Sequence, residues 1–548
     1  MAKKLKENGL VEGSLIAYLS VIITKILGAL YVIPFYAIIG EEGGYIYSSA
    51  YVLYNLVSNA STSGVPTAMS ILIAEHNTKN LIATKQKVYR VGVAVVFGIS
   101  LLIFLFIQIF APWIAGFFMD TMQDGTIVNN ASVSAGLRCM SLCLLFAPFL
   151  SVNRGYLQGH KYISPSSVSQ VIEQVVRIAV VLIGAYFAVK VFNMGVASGA
   201  NIALCGAAIA AAVALLYLQG PTNYLNRKAK RAITDEDVPE TKTILFMILR
   251  YSIPVVIVTI SGNLYELIDM KLVLKGMLSL GTNAETTQTI ANTISSWSPK
   301  ICMLIIALSM GLTTSLVPSM ASSFAEKKYG EVNRKLVLCI NTILVISVPI
   351  AFGLSLLADP MYTLFYSHSD IGTAVLSTAC FVSVLTSIRI VMCMSLQSIG
   401  KSRLVCLVTV LGILVNTILD LPLLYLFNAI GLPAYLGTVL ATAIGEISVI
   451  AVILFVLKKT MHFKYIAIAS TLIRAIIPNI ALIITVIILK LIIPIPTQQG
   501  FLLLIVLGIY ALIGGGVYGI IAYKLNLIQA VFGKDFLSKI LTKLHLKK

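Results

Sequence analysis

The chain is patterned in blocks: apolar runs of twenty residues or more recur from end to end, and short stretches between them hold most of the charge. A bilayer core needs about 20 apolar residues per helix, whereas the strands of a membrane barrel are half that length and alternate in polarity. The blocks therefore predict an all-α polytopic membrane protein with fourteen spans. Two sets of six come first, at 13–39, 45–73, 88–111, 134–157, 165–191 and 196–219, and at 244–274, 290–320, 336–358, 372–397, 404–427 and 431–457. Two more follow at 467–493 and 500–523.

Composition agrees. The 548 residues are 58% hydrophobic and 11% charged, with mean hydropathy +0.94, against about 25% charged in soluble chains. Lys3, Lys4 and Lys6 precede an apolar run too long for a signal-peptide core of roughly 7–15 residues, so it reads as the first span. All eight cysteines fall inside spans without a CxxC pair, as small hydrophobes do. His76, His160, His368, His462 and His545 are scattered in loops and tails, without metal-ligand spacing.

The net charge of +18 would suit a nucleic-acid partner if it formed one surface. Instead, 29 of the 40 Lys and Arg fall on one side of the fourteen-span segmentation, together with both ends of the chain. The positive-inside rule makes that side cytoplasmic. The basic excess is then topological, with a secondary grip on anionic membrane lipid, and nucleic acid is excluded as a partner.

The two sets of six repeat. "GVPTAMSILIAEHN" (64–77) matches "LVPSMASSFAEKK" (316–328), "FAPWIAGFF" (110–118) matches "LADPMYTLF" (357–365), "YLQG" (156–159) matches "SLQSIG" (395–400), and "GVASGANIALCGAA" (195–208) matches "GLPAYLGTVLATAI" (431–444). The matches keep their order, and six spans per copy leave both copies in one orientation. Two lobes related by an axis along the membrane normal follow, which is transporter architecture. The expected divisions are 1–220, a cytoplasmic linker 221–243, 244–460, and 461–548 with the last two helices and a basic tail. The Gly-Lys-Ser at 400–402 is no phosphate-binding loop, because Ser395 stands where that motif needs Gly. It and "RGYLQGHKYISP" (154–165) read as paired inside-facing turns after the fourth span of each copy.

The segments "GSLIAYLSVIITKILGALYVIPFYAIIG", "YIYSSAYVLYNLVSNASTSGVPTAMS" and "LQGHKYISPSSVSQVIEQVVRI" resemble the MurJ/SpoVB/YtgP branch of the multidrug/oligosaccharidyl-lipid/polysaccharide (MOP) flippase superfamily. The resemblance covers essentially the whole chain. It implies fourteen helices in two lobes, a bacterial cytoplasmic membrane, and transport of an undecaprenyl-linked cell-wall precursor, lipid II, between leaflets, beside the cell-wall synthesis machinery. Teichoic or capsular lipid carriers, a cation-coupled drug exporter, and a polyprenyl-dependent glycosyltransferase are the competing readings. No nucleotide motif or cofactor site is present in the sequence.

Ionisable groups at membrane depth are costly unless paired or wetted, so each is a functional candidate. Lys25 lies in the middle of the first span and Lys300 in the eighth. The resemblance implies that cations of these two helices hold the substrate diphosphate; the alternative for each is an acidic partner or snorkelling. Here they are Lys, without the bidentate fork of Arg, Tyr31 stands where another cation is expected, and the nearby acids are Glu41 and Glu42. Arg138 and Arg389 have no evident partner and are expected at cavity walls. Glu173 and Arg177, four apart, form a structural pair. Asn416 and Asp420 share a helix face; with Asp269 and Thr442 they offer the oxygens that Na⁺ prefers, where the resemblance implies a sodium site. The alternative is that Asp420 ends its helix ahead of Pro422 and Asp269 pairs with Lys271 or Lys275. Glu446 is a further candidate for H⁺.

Overall fold

The computed structural model describes residues 10–78, 81–119, 130–230, 238–461, 466–498 and 500–532. Among them every regular element is helical. In chain order these are α1 (Leu10–Leu30), α2 (Val32–Thr78), α3 (Ile82–Met119), α4 (Asn130–Ser141), α5 (Ala147–Gly159), α6 (Ile163–Tyr186), α7 (Val196–Lys230), α8 (Thr241–Ser279) and α9 (Ala284–Asn292). They continue as α10 (Ser298–Ala325), α11 (Tyr329–Leu356), α12 (Ala358–Phe365), α13 (Asp370–Ser398), α14 (Ser402–Ala429), α15 (Tyr435–Met461), α16 (Ile466–Ile492), α17 (Phe501–Lys524) and α18 (Leu527–Phe532). Lys3, Lys4, Lys6, His462, His545 and the tail beyond 532 lie outside the described residues.

Eleven helical stretches of the described residues are long and apolar enough to cross a membrane. Large apolar side chains such as Leu102, Ile109, Trp113, Leu491 and Leu512 are exposed on the protein surface. Such a surface is unusual for a soluble monomer and suits lipid. The expected runs 244–274 and 290–320 are helical as well, within α8 and within α9 to α10.

Several expected spans are broken rather than straight. Within α2 the backbone leaves helical geometry at Gly40 (φ 65°, ψ −170°), a conformation open to glycine, and this kink separates the first expected span from the second. The fourth consists of α4, a 3₁₀ turn Leu142–Leu145, and α5 with Pro148 in its first turn. The eighth consists of α9, a π turn Thr293–Trp297, and α10, with Pro299 immediately after its start.

The chain divides into two compact units, residues 1–296 and 297–548. In the first, α2 packs against α3, α5, α7 and α8. Glycines set the closest approaches: a side chain at Gly155 would collide with the Pro66 carbonyl oxygen, and one at Gly159 would meet Ser70 O at 2.9 Å and Ile73. Small residues serve such backbone contacts between membrane helices. The segment after the sixth span is not a free linker at its start, because α7 continues through Pro221 to Lys230. There Asn226 accepts from Tyr156 Oη at 3.1 Å.

In the second unit the main pairs are α10 with α13, α14 with α15, and α11 with α16. A side chain at Gly437 of α15 would strike the Leu423 carbonyl of α14, and one at Gly412 of α14 would strike Val449 of α15. This antiparallel pair is therefore close along its length.

The paired turns have the same hydrogen bonds in both copies. After α5, Tyr162 N donates to Leu157 O and Lys161 N to Gln158 O, each at 2.9 Å. After α13, Lys401 N donates to Leu396 O at 2.9 Å and Gly400 N to Gln397 O at 3.0 Å. These bonds close a helix C-terminus around one left-handed residue. That residue is Gly400 in the second copy (φ 76°) but Lys161 in the first (φ 64°). Gly159 is the last helical residue of α5 and also makes contact with α2. Gly195 (φ 83°) and Gly431 (φ 77°) also correspond.

Candidate functional site

In the first unit, α1 lies along α6. Ser20 Oγ donates to Gln170 Oε1 at 3.3 Å, and a side chain at Gly28 would touch Gln174 Nε2 at 3.1 Å. Lys25 is on this stretch of α1 and half-buried. Six residues further on, Tyr31 Oη lies 3.3 Å from Tyr47 Oη of α2, beside Phe35.

The hairpin of α5 and α6 turns about residues 161–162, so residues equidistant from that point face one another. Gln158 accordingly meets Ser166 at 2.9 Å, and Arg154 Nε donates to Ser169 Oγ at 2.8 Å. One helical turn beyond Ser169 stands Glu173. Its Oε1 accepts from Arg177 at 2.6 Å and its Oε2 from Arg154 at 2.9 Å. The expected pair is present, but it is a triad. Arg154 escapes a reading of helix faces because it sits at the end of the fourth expected span; the hairpin register is the signal that finds it.

In the second unit, Arg389 of α13 is not without a partner. Its Nε donates to Glu446 Oε2 of α15 at 2.5 Å, and Thr386 Oγ1 donates to the other oxygen at 3.0 Å. Glu446 is 6% exposed as a side chain and Arg389 26%. Burial together and short contact make this a neutral pair. Arg138 of α4 is exposed, and its carbonyl accepts from Gln108 and Ser141. Lys300 stands at the start of α10, half-buried, directly after the π turn and Pro299.

Asn416 and Asp420 of α14 are fully buried, with the amide donating to Asp420 Oδ2 at 3.5 Å. The helix does not end there, because α14 runs through Pro422 to Ala429. Proline lacks a donor and so deprives the Ile418 carbonyl of its helical partner. On α15, Thr442 Oγ1 donates to Thr438 O at 3.0 Å. Amide, carboxylate and hydroxyl oxygens on two closely packed helices suit a hard monovalent cation. Asp269 is buried on α8, in the first unit.

An apolar cavity of about 560 Å³ lies among α11, α16 and α17, lined by Pro349, Gly353, Leu507, Ala511, Gly515 and Tyr518 among others. Small residues leave the space, and no charged group lines it. It suits an alkyl or prenyl chain.

Many apolar spans, buried ion pairs and an apolar side cavity define a polytopic membrane carrier. The profile of the family described as "Polysaccharide biosynthesis protein" matches residues 10–296, and that of MatE matches 254–421. The chain belongs to the polysaccharide biosynthesis protein family, within the MOP flippase superfamily. It is 28% identical to lipid II flippase MurJ of Bacillus subtilis (strain 168) over 540 residues, 96% of this chain and 97% of that one. It is also 24% identical to stage V sporulation protein B of the same organism, over 66% of this chain and 68% of that one. Among solved structures, "Lipid II flippase MurJ, inward closed conformation" shares the fold at 17% identity and TM-score 0.64, covering 93% of this chain and 99% of that one. An outward-facing multidrug resistance MATE transporter shares it at 18% identity and TM-score 0.60, covering 83% and 98%.

Proposed function

We propose that the protein is an alternating-access flippase that moves a lipid-linked cell-wall precursor, lipid II, from the inner to the outer leaflet of the cytoplasmic membrane, with both chain ends cytoplasmic. The observation that carries this reading is the likeness to lipid II flippase MurJ along nearly the entire length of both chains. The chemistry supports it. A diphosphate entering the membrane needs fixed positive charge, and Lys25 and Lys300 supply it from within spans. The prenyl tail stays apolar throughout, and the cavity beside α16 and α17 offers it a surface. Na⁺ or H⁺ at Asn416, Asp420 and Thr442 resets the carrier, aided by the membrane potential. The undecaprenyl-linked precursor and membrane lipids are its partners, and cell-wall synthesis enzymes supply and consume the precursor. The reaction is transport without catalysis.

The match to MatE over 254–421 favours a second reading, cation-coupled drug export. The deciding experiment uses cells in which this protein is the sole flippase, with a probe of which leaflet holds lipid II. Wild type delivers it outward, and Lys25→Ala with Lys300→Ala does not. Continued delivery by the double variant sinks the mechanism. Resistance to cationic drugs without delivery establishes the export reading, and sugar addition by purified protein establishes the enzyme reading.

A further inference from the structure

The triad Arg154–Glu173–Arg177 takes no part in the scheme above. One carboxylate faces two guanidiniums, and each of its oxygens is already engaged, at 2.9 Å and 2.6 Å. With all three groups ionised the cluster carries one surplus positive charge. Arg177 is roughly 21 Å along α6 from Ile163 at about 1.5 Å per residue, inside a helix long enough to span a hydrocarbon core of about 30 Å. Its side chain and that of Glu173 are 27% and 16% exposed.

A cluster built only to hold α5 against α6 would not need Arg177, since Arg154 and Glu173 already tie the two helices. The two arginines also differ. Arg154 is anchored twice, by Glu173 and by Ser169 Oγ at 2.8 Å. Arg177 Nε is buried with no hydrogen-bond acceptor, an arrangement that is rare and unfavourable for a charged donor. Beside it, the Tyr31 and Tyr47 hydroxyls lie within electrostatic reach of its charge. A surplus buried cation with a spare donor and neighbouring hydroxyls is the equipment of an oxyanion site.

We propose that Arg154 and Arg177 form an anion subsite in the first unit for a phosphate or carboxylate group of the transported headgroup, with Glu173 as the resident counter-ion that the arriving anion displaces. The identity of the arriving group rests on the flippase reading. In the resting state Glu173 keeps the guanidiniums from drawing in free anions. A diphosphate, with one negative charge on each of its two phosphates, outcompetes one carboxylate for the pair, and on release the carboxylate returns. Substrate thus exchanges one set of ionic hydrogen bonds for another, without leaving the cations bare at membrane depth.

The test compares wild type, Glu173→Gln, Arg177→Gln and Arg177→Lys, each as purified full-length protein in neutral-lipid nanodiscs. Calorimetry measures binding of inorganic pyrophosphate and of a polyprenyl diphosphate, alongside the thermal midpoint. Glu173→Gln frees both guanidiniums and tightens binding roughly threefold to tenfold, while Arg177→Gln weakens it about tenfold or more. Arg177→Lys falls between, because an ammonium lacks the fork. A purely structural ion pair makes Glu173→Gln and Arg177→Gln move together and track the thermal midpoint; that result overturns the proposal. If Arg177→Gln does not fold, the opposed changes in Glu173→Gln and Arg177→Lys carry the same test. Equal binding of the polyprenyl diphosphate by all four proteins removes the subsite and leaves the flippase reading standing. The opposed pattern with pyrophosphate, but no binding of the polyprenyl diphosphate, keeps the subsite and removes the lipid-carrier reading. Failure of wild type to bind either probe overturns both.

Discussion

Arg389 and Glu446 are each costly inside a membrane and acceptable only together. Removing one partner leaves the other charge buried and uncompensated, a loss of about 3–5 kcal/mol. Arg389→Leu and Glu446→Leu should each lower the thermal midpoint in detergent by that much stability, and the double variant should recover most of it. A double variant as unstable as the sum of the singles would show that the two groups act independently. Outside the spans the balance differs: the exposed Lys328–Glu326 contact at 2.7 Å raises the Lys328 ammonium pKa through the Glu326 carboxylate, but water screens it and it adds little stability. The Glu173–Arg177 pair was legible in the sequence because four residues make one helical turn. The Arg389–Glu446 pair was not, since 57 residues separate them and no periodicity connects two helices.

At the scale of elements, the paired turns after α5 and α13 share their hydrogen bonds but not their residue at positive φ. A left-handed non-glycine residue costs roughly 1–2 kcal/mol. Lys161→Gly should therefore stabilise the protein by about 1 kcal/mol, and Gly400→Ala should destabilise it by a similar amount. Equal thermal midpoints for the first variant and wild type would mean that local contacts of Lys161 offset its strain. Helix contact is set by glycine in the same way. Gly155→Ala drives a methyl into the Pro66 carbonyl of α2, and backbone cannot rotate away as a side chain can. The expected loss is about 1–3 kcal/mol, read as a lower midpoint with α-helix content retained. The sequence places Gly155 and Gly159 four apart but does not say which helix approaches them.

For the whole molecule, the proposed transport of a charged headgroup should respond to ions and to potential. One charge crossing 100 mV is worth about 2.3 kcal/mol, so dissipating the potential in proteoliposomes should slow turnover. With potential held fixed, replacing Na⁺ by choline or collapsing the pH gradient should slow wild type. Asp420→Asn should lose that dependence while still binding a polyprenyl diphosphate. An Asp420→Asn protein that keeps the full ion response would move the coupling site elsewhere.

Apolar blocks, basic flanks and family-like segments were enough to define a helical membrane protein and its family, because bilayer thickness and the cost of unpaired backbone in lipid act on sequence through length and polarity alone. The kink at Gly40, the π turn before Pro299 and Lys300, the triad around Glu173 and the pairing of Arg389 with Glu446 had to come from tertiary structure. Each depends on which side chain of one helix meets which backbone or charge of another, and that is a matter of distance in space that spacing along the chain does not encode.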